Sequence, residues 1–159
     1  MKLVYESLDQ LFEIGEANVS SYDFKFMFKD VYDDVDYYSY SFTTEDNDNY
    51  EVLLAYNKTI HELTVGFTAN NEADTYNVNK GRIFKVLSTV INVIKDVVNK
   101  NPDIKEILID PSKETDEDNR RKNIYMAFIR KNMPPDWSVT TTKRIILEIE
   151  KEVILIKKS

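Results

Sequence analysis

At 159 residues, with 42% apolar content, 3 Gly and 4 Pro, the chain has the size and composition of one globular domain built mostly from regular elements joined by tight turns. It has no cysteine, which excludes disulfides, thiolate metal sites and cysteine nucleophiles. A net charge of −7, concentrated at Asp30–Asp36, Glu45–Asp48 and Lys113–Asp118, repels phosphate backbones and so argues against general nucleic-acid binding and for a basic protein partner or plain solubility.

The opening "MKLVYESLDQLFEIG" has neither a long apolar run nor a small-residue cleavage site. No later apolar stretch reaches membrane-spanning length, so a chain that is soluble and intracellular at the time of synthesis is expected. Ser7, with Gln10 three residues on and Gly15 beyond, marks a short helix to Ile14. From Tyr22 the period changes to two: Tyr22, Phe24, Phe26 and Phe28 fall on one face, and Asp23, Lys25, Met27 and Lys29 on the other, which predicts a half-buried strand. Tyr38, Tyr40 and Phe42 repeat the alternation, as do Tyr50, Val52, Leu54 and Tyr56. The polar "TTEDNDN" between them has hairpin-loop composition. A fourth strand is expected through Leu63, Val65 and Phe67, completing an antiparallel meander.

The second half changes period. Ile83, Val86, Leu87, Val90, Ile91, Ile94, Val97 and Val98 keep helical spacing from about Arg82 to Lys100, where "NPD" ends the element. Its many β-branched residues give it mediocre intrinsic helix propensity, so packing on a sheet must stabilise it. "IKEILID" predicts a short buried strand. Asp118–Asn132 predicts a second helix with Ile124, Tyr125, Phe128 and Ile129 inward, and the end, "WSVTTTKRIILEIEKEVILIKKS", has the composition of a closing hairpin. The fold expected is a single α/β (α+β) domain over residues 1–159, an antiparallel or mixed sheet with two main helices.

The element order of the second half, with the glycine-bearing turn "NKGR" before the long helix and "NRRKNIY" at Asn119–Tyr125, resembles the GNAT acetyltransferase fold. The resemblance implies a GNAT-like topology in the second half. It also implies an acetyl-coenzyme A site at Lys80, Gly81 and Arg82, where backbone N–H groups at a helix start would meet the pyrophosphate. Tyr125 would then protonate the leaving thiolate, and His61 or Glu62 would serve as general base. This sequence departs from the family's Arg/Gln-x-x-Gly-x-Gly/Ala loop: Val78 takes the Arg/Gln position and Ile83 the second small position, which crowds the backbone where a phosphate would approach. The chain also looks like small phage proteins opening with "MKLVYES", which implies a phage origin, synthesis in the host cytoplasm and incorporation into a virion as one destination.

Each candidate has an ordinary structural alternative. Asn79 as a simple helix cap would explain the turn, Tyr125 can be a core residue with its hydroxyl at the rim, and a lone histidine is commonly solvated. Asp46 and Asp48 alternate as calcium ligands do, but without the glycine and distal glutamate of a calcium loop. The least ordinary feature is the aromatic meander, in which Tyr37 and Tyr38 put rings on both faces of one strand. Tyrosine buries large area at low entropy cost and keeps a polar tip, so Tyr37, Tyr38 and Tyr40, with Arg121 and Arg130 on the basic second helix, are the candidate partner-binding residues. The function expected is a non-enzymatic binding or assembly protein without a cofactor, engaging a protein partner or itself. The alternatives are an N-acetyltransferase using acetyl-coenzyme A and an acidic inhibitor of a host protein.

Overall fold

A computed structural model describes residues 20–69, 72–73, 80–110, 118–146 and 148–159. The expected helix from Ser7 to Ile14 lies outside them. The chain folds as α+β: strands β1 (Phe24–Tyr32), β2 (Val35–Thr43), β3 (Asn49–Asn57), β4 (Glu62–Ala69) and the two-residue β5 (Glu72–Ala73) precede helix α1 (Lys80–Lys100). Strand β6 (Glu106–Ile109), helix α2 (Asp118–Asn132) and strands β7 (Trp137–Ile146) and β8 (Ile149–Lys158) follow. The sheet runs β1-β2-β3-β4-β6-β8-β7, with β5 paired to β4 off this path. Each of these contacts is antiparallel except β4 with β6, which run parallel because α1 carries the chain back between them.

Strand alternation builds the core. Tyr38, Tyr40 and Phe42 of β2 stand opposite Leu54, Val52 and Tyr50 of β3, and Leu63 and Val65 of β4 stand opposite Ile107 and Ile109 of β6. These side chains are buried together with Val86, Val90, Val93, Ile94 and Val97 of α1 and Tyr125, Phe128 and Ile129 of α2. Both helices therefore cover one face, the inner one, and the burial of this apolar stripe overcomes the weak helix propensity of α1. Thr89, buried inside α1, is satisfied in both roles: its hydroxyl donates to the Lys85 carbonyl at 2.7 Å and accepts from the Tyr22 amide at 2.8 Å. No helix of the described residues is long and apolar enough to cross a membrane.

Three features differ from the sequence reading. Asp33 and Asp34 form a two-residue turn between Tyr32 and Val35, so only these two of the acidic run at Asp30–Asp36 make the hairpin tip, with Asp33 in the left-handed region at φ 54°, while Asp30 and Asp36 lie in the strands. The register of β1 slips between Phe26, opposite Tyr40, and Phe28, opposite Ser39, leaving Met27 as a bulge. Phe24 and Phe26 therefore face inward while Phe28 faces outward, which splits the aromatic row that strict alternation puts on one face. Finally, β7 and β8 curl. Register places Arg144 opposite Lys151, far along the hairpin, yet its guanidinium reaches Glu62 on β4 at 3.3 Å across two intervening strands.

Candidate functional site

The crossover helix separates the two sets of residues that an acetyl-transfer site would combine. Lys80, Gly81 and Arg82 open α1, and their side chains lie outside the described residues. His61 and Glu62 stand at the start of β4, beside the other end of α1: the Lys105 amide donates to the His61 carbonyl at 2.9 Å, and Asn101, just past α1, donates from its side chain to the Tyr38 hydroxyl at 3.1 Å. A helix of 21 residues spans about 30 Å at its normal rise, so the two sets lie at opposite ends of the layer. Tyr125 is buried on α2, its ring 5.9 Å from Phe67 near the far end of β4.

His61 is better supported than a lone histidine suggests. Its Nδ1 lies 3.4 Å from the Tyr56 hydroxyl and 3.4 Å from an Asp103 oxygen, and its backbone holds φ 57° in the turn before β4. The Tyr56 hydrogen bond, chiefly, keeps the Asp103 carboxyl below its usual range, while burial first and Asp103 second push the Tyr56 hydroxyl well above its own. On the opposite face Glu62 stands level with Glu106, with Arg144 and Lys157 beside them at 3.3 and 3.8 Å from their carboxylates. Burial, opposed by Arg144 and reinforced by Glu106, pushes the Glu62 carboxyl up. Asp103, Tyr56, Glu106 and Arg144 carried no sequence signal of this clustering, since it depends on the β4–β6 register and the curl of β7.

The tyrosines of the meander divide by face. Tyr38 and Tyr40 are buried under α1 and tie down its last turn: Tyr40 donates to Asp96 at 2.6 Å, Lys100 donates to the Tyr40 hydroxyl at 3.3 Å, and Tyr38 accepts from Asn101. Burial and then the Asp96 carboxylate push the Tyr40 hydroxyl up to about 12, and the same bond holds Asp96 low. Burial alone would lower Lys100, but its bonds to Tyr40 and Asp96 outweigh this and raise it. Neither tyrosine presents a ring to solvent. Arg130 is exposed, yet its guanidinium donates to the Val139 carbonyl at 3.2 and 3.4 Å and so fastens α2 to β7, while the Arg121 side chain lies outside the described residues.

Tyr37 belongs to a different surface. On the outer face of the sheet, the half over β4–β8 is braced by ion pairs: Arg144 reaches Glu62, Lys151 reaches Asp110 at 3.5 Å, and Leu108 and Val153 are buried although they point away from both helices. The other half, over β1–β3, is open. Met27, Phe28, Tyr37 and Leu53 are 54%, 45%, 43% and 47% exposed there. Register makes them neighbours, since Phe28 and Leu53 flank the buried Ser39 in one row and Tyr37 lies two residues along β2.

Among the described residues no group of three or more His, Asp or Glu side chains is placed to hold a metal ion. The chain matches no protein-family model, no curated protein and no solved structure.

Proposed function

We propose that the chain is a non-enzymatic binding or assembly protein on a GNAT-like fold, and that its contact surface is the open half of the outer sheet face, with Tyr37 at its centre. The sheet order, with its one parallel step across α1, supports the fold resemblance. One observation carries the functional reading: over β1–β3 the outer sheet face is open, and four large apolar side chains are exposed there side by side. Contiguous exposed apolar area of this kind marks interaction surfaces, whereas scattered single residues do not. The roughly 30 Å between His61–Glu62 and the start of α1 argues in the same direction, because a general base must come within hydrogen-bond reach of the substrate.

An N-acetyltransferase is the second reading, and one observation favours it. The last β4–β6 partners are Val65 and Ile109, so Gly66–Ala69 run on without β6 beside them. Ligands of open α/β sheets bind at such carboxyl ends of parallel strands, and Tyr125 packs against Phe67 there. Calorimetric titration with acetyl-coenzyme A and coenzyme A, on the wild type and a Gly81→Glu variant, separates the two. Absence of binding at millimolar cofactor is expected. Micromolar binding that the variant loses would overturn the non-enzymatic reading.

A further inference from the structure

Strand β1 ends the sheet, and no described strand pairs with its outer edge. Its bulge gives that edge an unusual symmetry. Phe24, Phe26, Lys29 and Val31 stand opposite Phe42, Tyr40, Tyr38 and Asp36 and share the inner face, whereas Lys25, Phe28, Asp30 and Tyr32 stand opposite Ser41, Ser39, Tyr37 and Val35 and share the outer one. Met27 joins the outer set, its sulfur 3.2 Å from the Ser41 hydroxyl. Counted outward from the Met27–Phe28 bond, both directions now read alike: outer, inner, outer, inner.

We propose that β1 pairs antiparallel with β1 of a second copy, about a two-fold axis passing between Met27 and Phe28. The inference goes beyond the contact-surface reading above: it concerns the free edge of β1, where Met27 and Phe28 form the rim of that open outer face. Opposed residues of antiparallel strands share a face. A regular strand laid along β1 satisfies this on one side of the bulge only, because the inserted residue inverts the faces beyond it. An identical bulged strand, turned by the two-fold, satisfies it along the whole length.

In that register Met27 meets Phe28 of the second copy, Phe26 meets Lys29, Phe24 meets Val31, and Lys25 meets Asp30. Every contact occurs twice, as in any isologous interface. The charges are self-complementary, with an ion pair at each end of the central apolar contact. Bulges and edge lysines ordinarily discourage strand addition, and here they exclude other strands while admitting a copy of this one. Sliding the register by two residues keeps the faces at the strand ends but sets the two bulges out of line and moves Lys25 away from Asp30.

A contact of one strand and its flanking side chains is small, so dissociation on the order of 10–100 µM is expected. Sedimentation velocity across that range tests the proposal with Lys25→Asp and Asp30→Lys, both at exposed positions. Each alone opposes like charges and is expected to weaken association about tenfold. Combined in one chain the swaps restore opposite charges, and so does mixing the two single variants, whose heterodimer has Asp opposite Lys at both ends. Recovery to within about threefold of the wild type is expected in both cases. A wild type that stays monomeric throughout, or swaps that fail to recover in combination and in the mixture, overturns the self-pairing. The broader contact-surface reading falls separately, only if a photo-crosslinking residue at Tyr37 captures neither a second copy nor another protein.

Discussion

Replacing Tyr40 by Phe removes one oxygen atom and tests how the meander holds α1. The phenyl ring keeps its edge contacts with Phe24 and Phe26, at centroid distances of 5.8 and 5.4 Å, so the apolar packing is unchanged. The loss is the 2.6 Å bond donated to Asp96 and the bond accepted from Lys100. Hydrogen bonds to charged groups contribute about 1.5–3 kcal/mol. Asp96 is partly exposed and keeps its 3.2 Å contact with Lys100, which places the expected loss at the lower end, about 1.5 kcal/mol. For a chain of this length that lowers Tm by about 3–6 °C. Urea denaturation at pH 7 measures it, with Tyr32→Phe, at a highly exposed tyrosine, as the control expected to change stability by less than about 0.5 kcal/mol. The pH dependence adds a second readout. Because the folded Tyr40 hydroxyl is raised to about 12, its contribution is complete below the ordinary tyrosine range near 10 and is lost as pH climbs through about 12. Absorbance titration at alkaline pH should therefore show a late-ionising tyrosine that the variant lacks. A variant as stable as the wild type, which loses its one phenol from the ordinary range near 10 and not from the late phase, would refute the view that these hydroxyls fasten the helix.

Other expectations follow from burial and register. Ile94→Ala, at a fully buried position of α1 facing the sheet, should cost about 3–4 kcal/mol by urea denaturation. Gly66 lies in the middle of β4, where an added Cβ would meet nothing within 4 Å, so Gly66→Ala should stabilise by about 0.5–1 kcal/mol through lower backbone entropy in the unfolded chain. Glu62 has a raised folded pKa, so its ionisation weakens the fold: its favourable contribution is present below the ordinary glutamate range and is lost as pH rises through the folded value. Glu62→Gln should accordingly raise Tm at pH 7 and flatten the Tm–pH profile above the ordinary glutamate range.

How much of this was legible in the sequence depends on the distance over which each feature is determined. Alternation along Tyr38–Phe42, Tyr50–Tyr56 and Leu63–Phe67 places three strands and shows which residues share a face, because side-chain period is a local property of a strand. The 3.6-residue spacing of Ile83–Val98 did the same for α1. The bulge at Met27 was invisible, since "FKFMF" alternates perfectly and only pairing with β2 shows where a residue is left over. Alternation puts Tyr37 and Tyr38 on opposite faces, but which face α1 covers is a tertiary matter, so the sequence does not separate buried Tyr38 and Tyr40 from exposed Tyr37 as contact residues. The partners of His61 were out of reach for the same reason: Asp103 follows α1, more than forty residues along the chain, and only the crossover returns it to the start of β4.

Self-pairing along β1 is tested most directly by hydrogen exchange followed at about 5 and about 500 µM protein, because amides of a free strand edge exchange readily and paired ones do not. Amides within Phe24–Tyr32 should slow at the higher concentration while those of α1 stay unchanged. Identical exchange along β1 at both concentrations would contradict it.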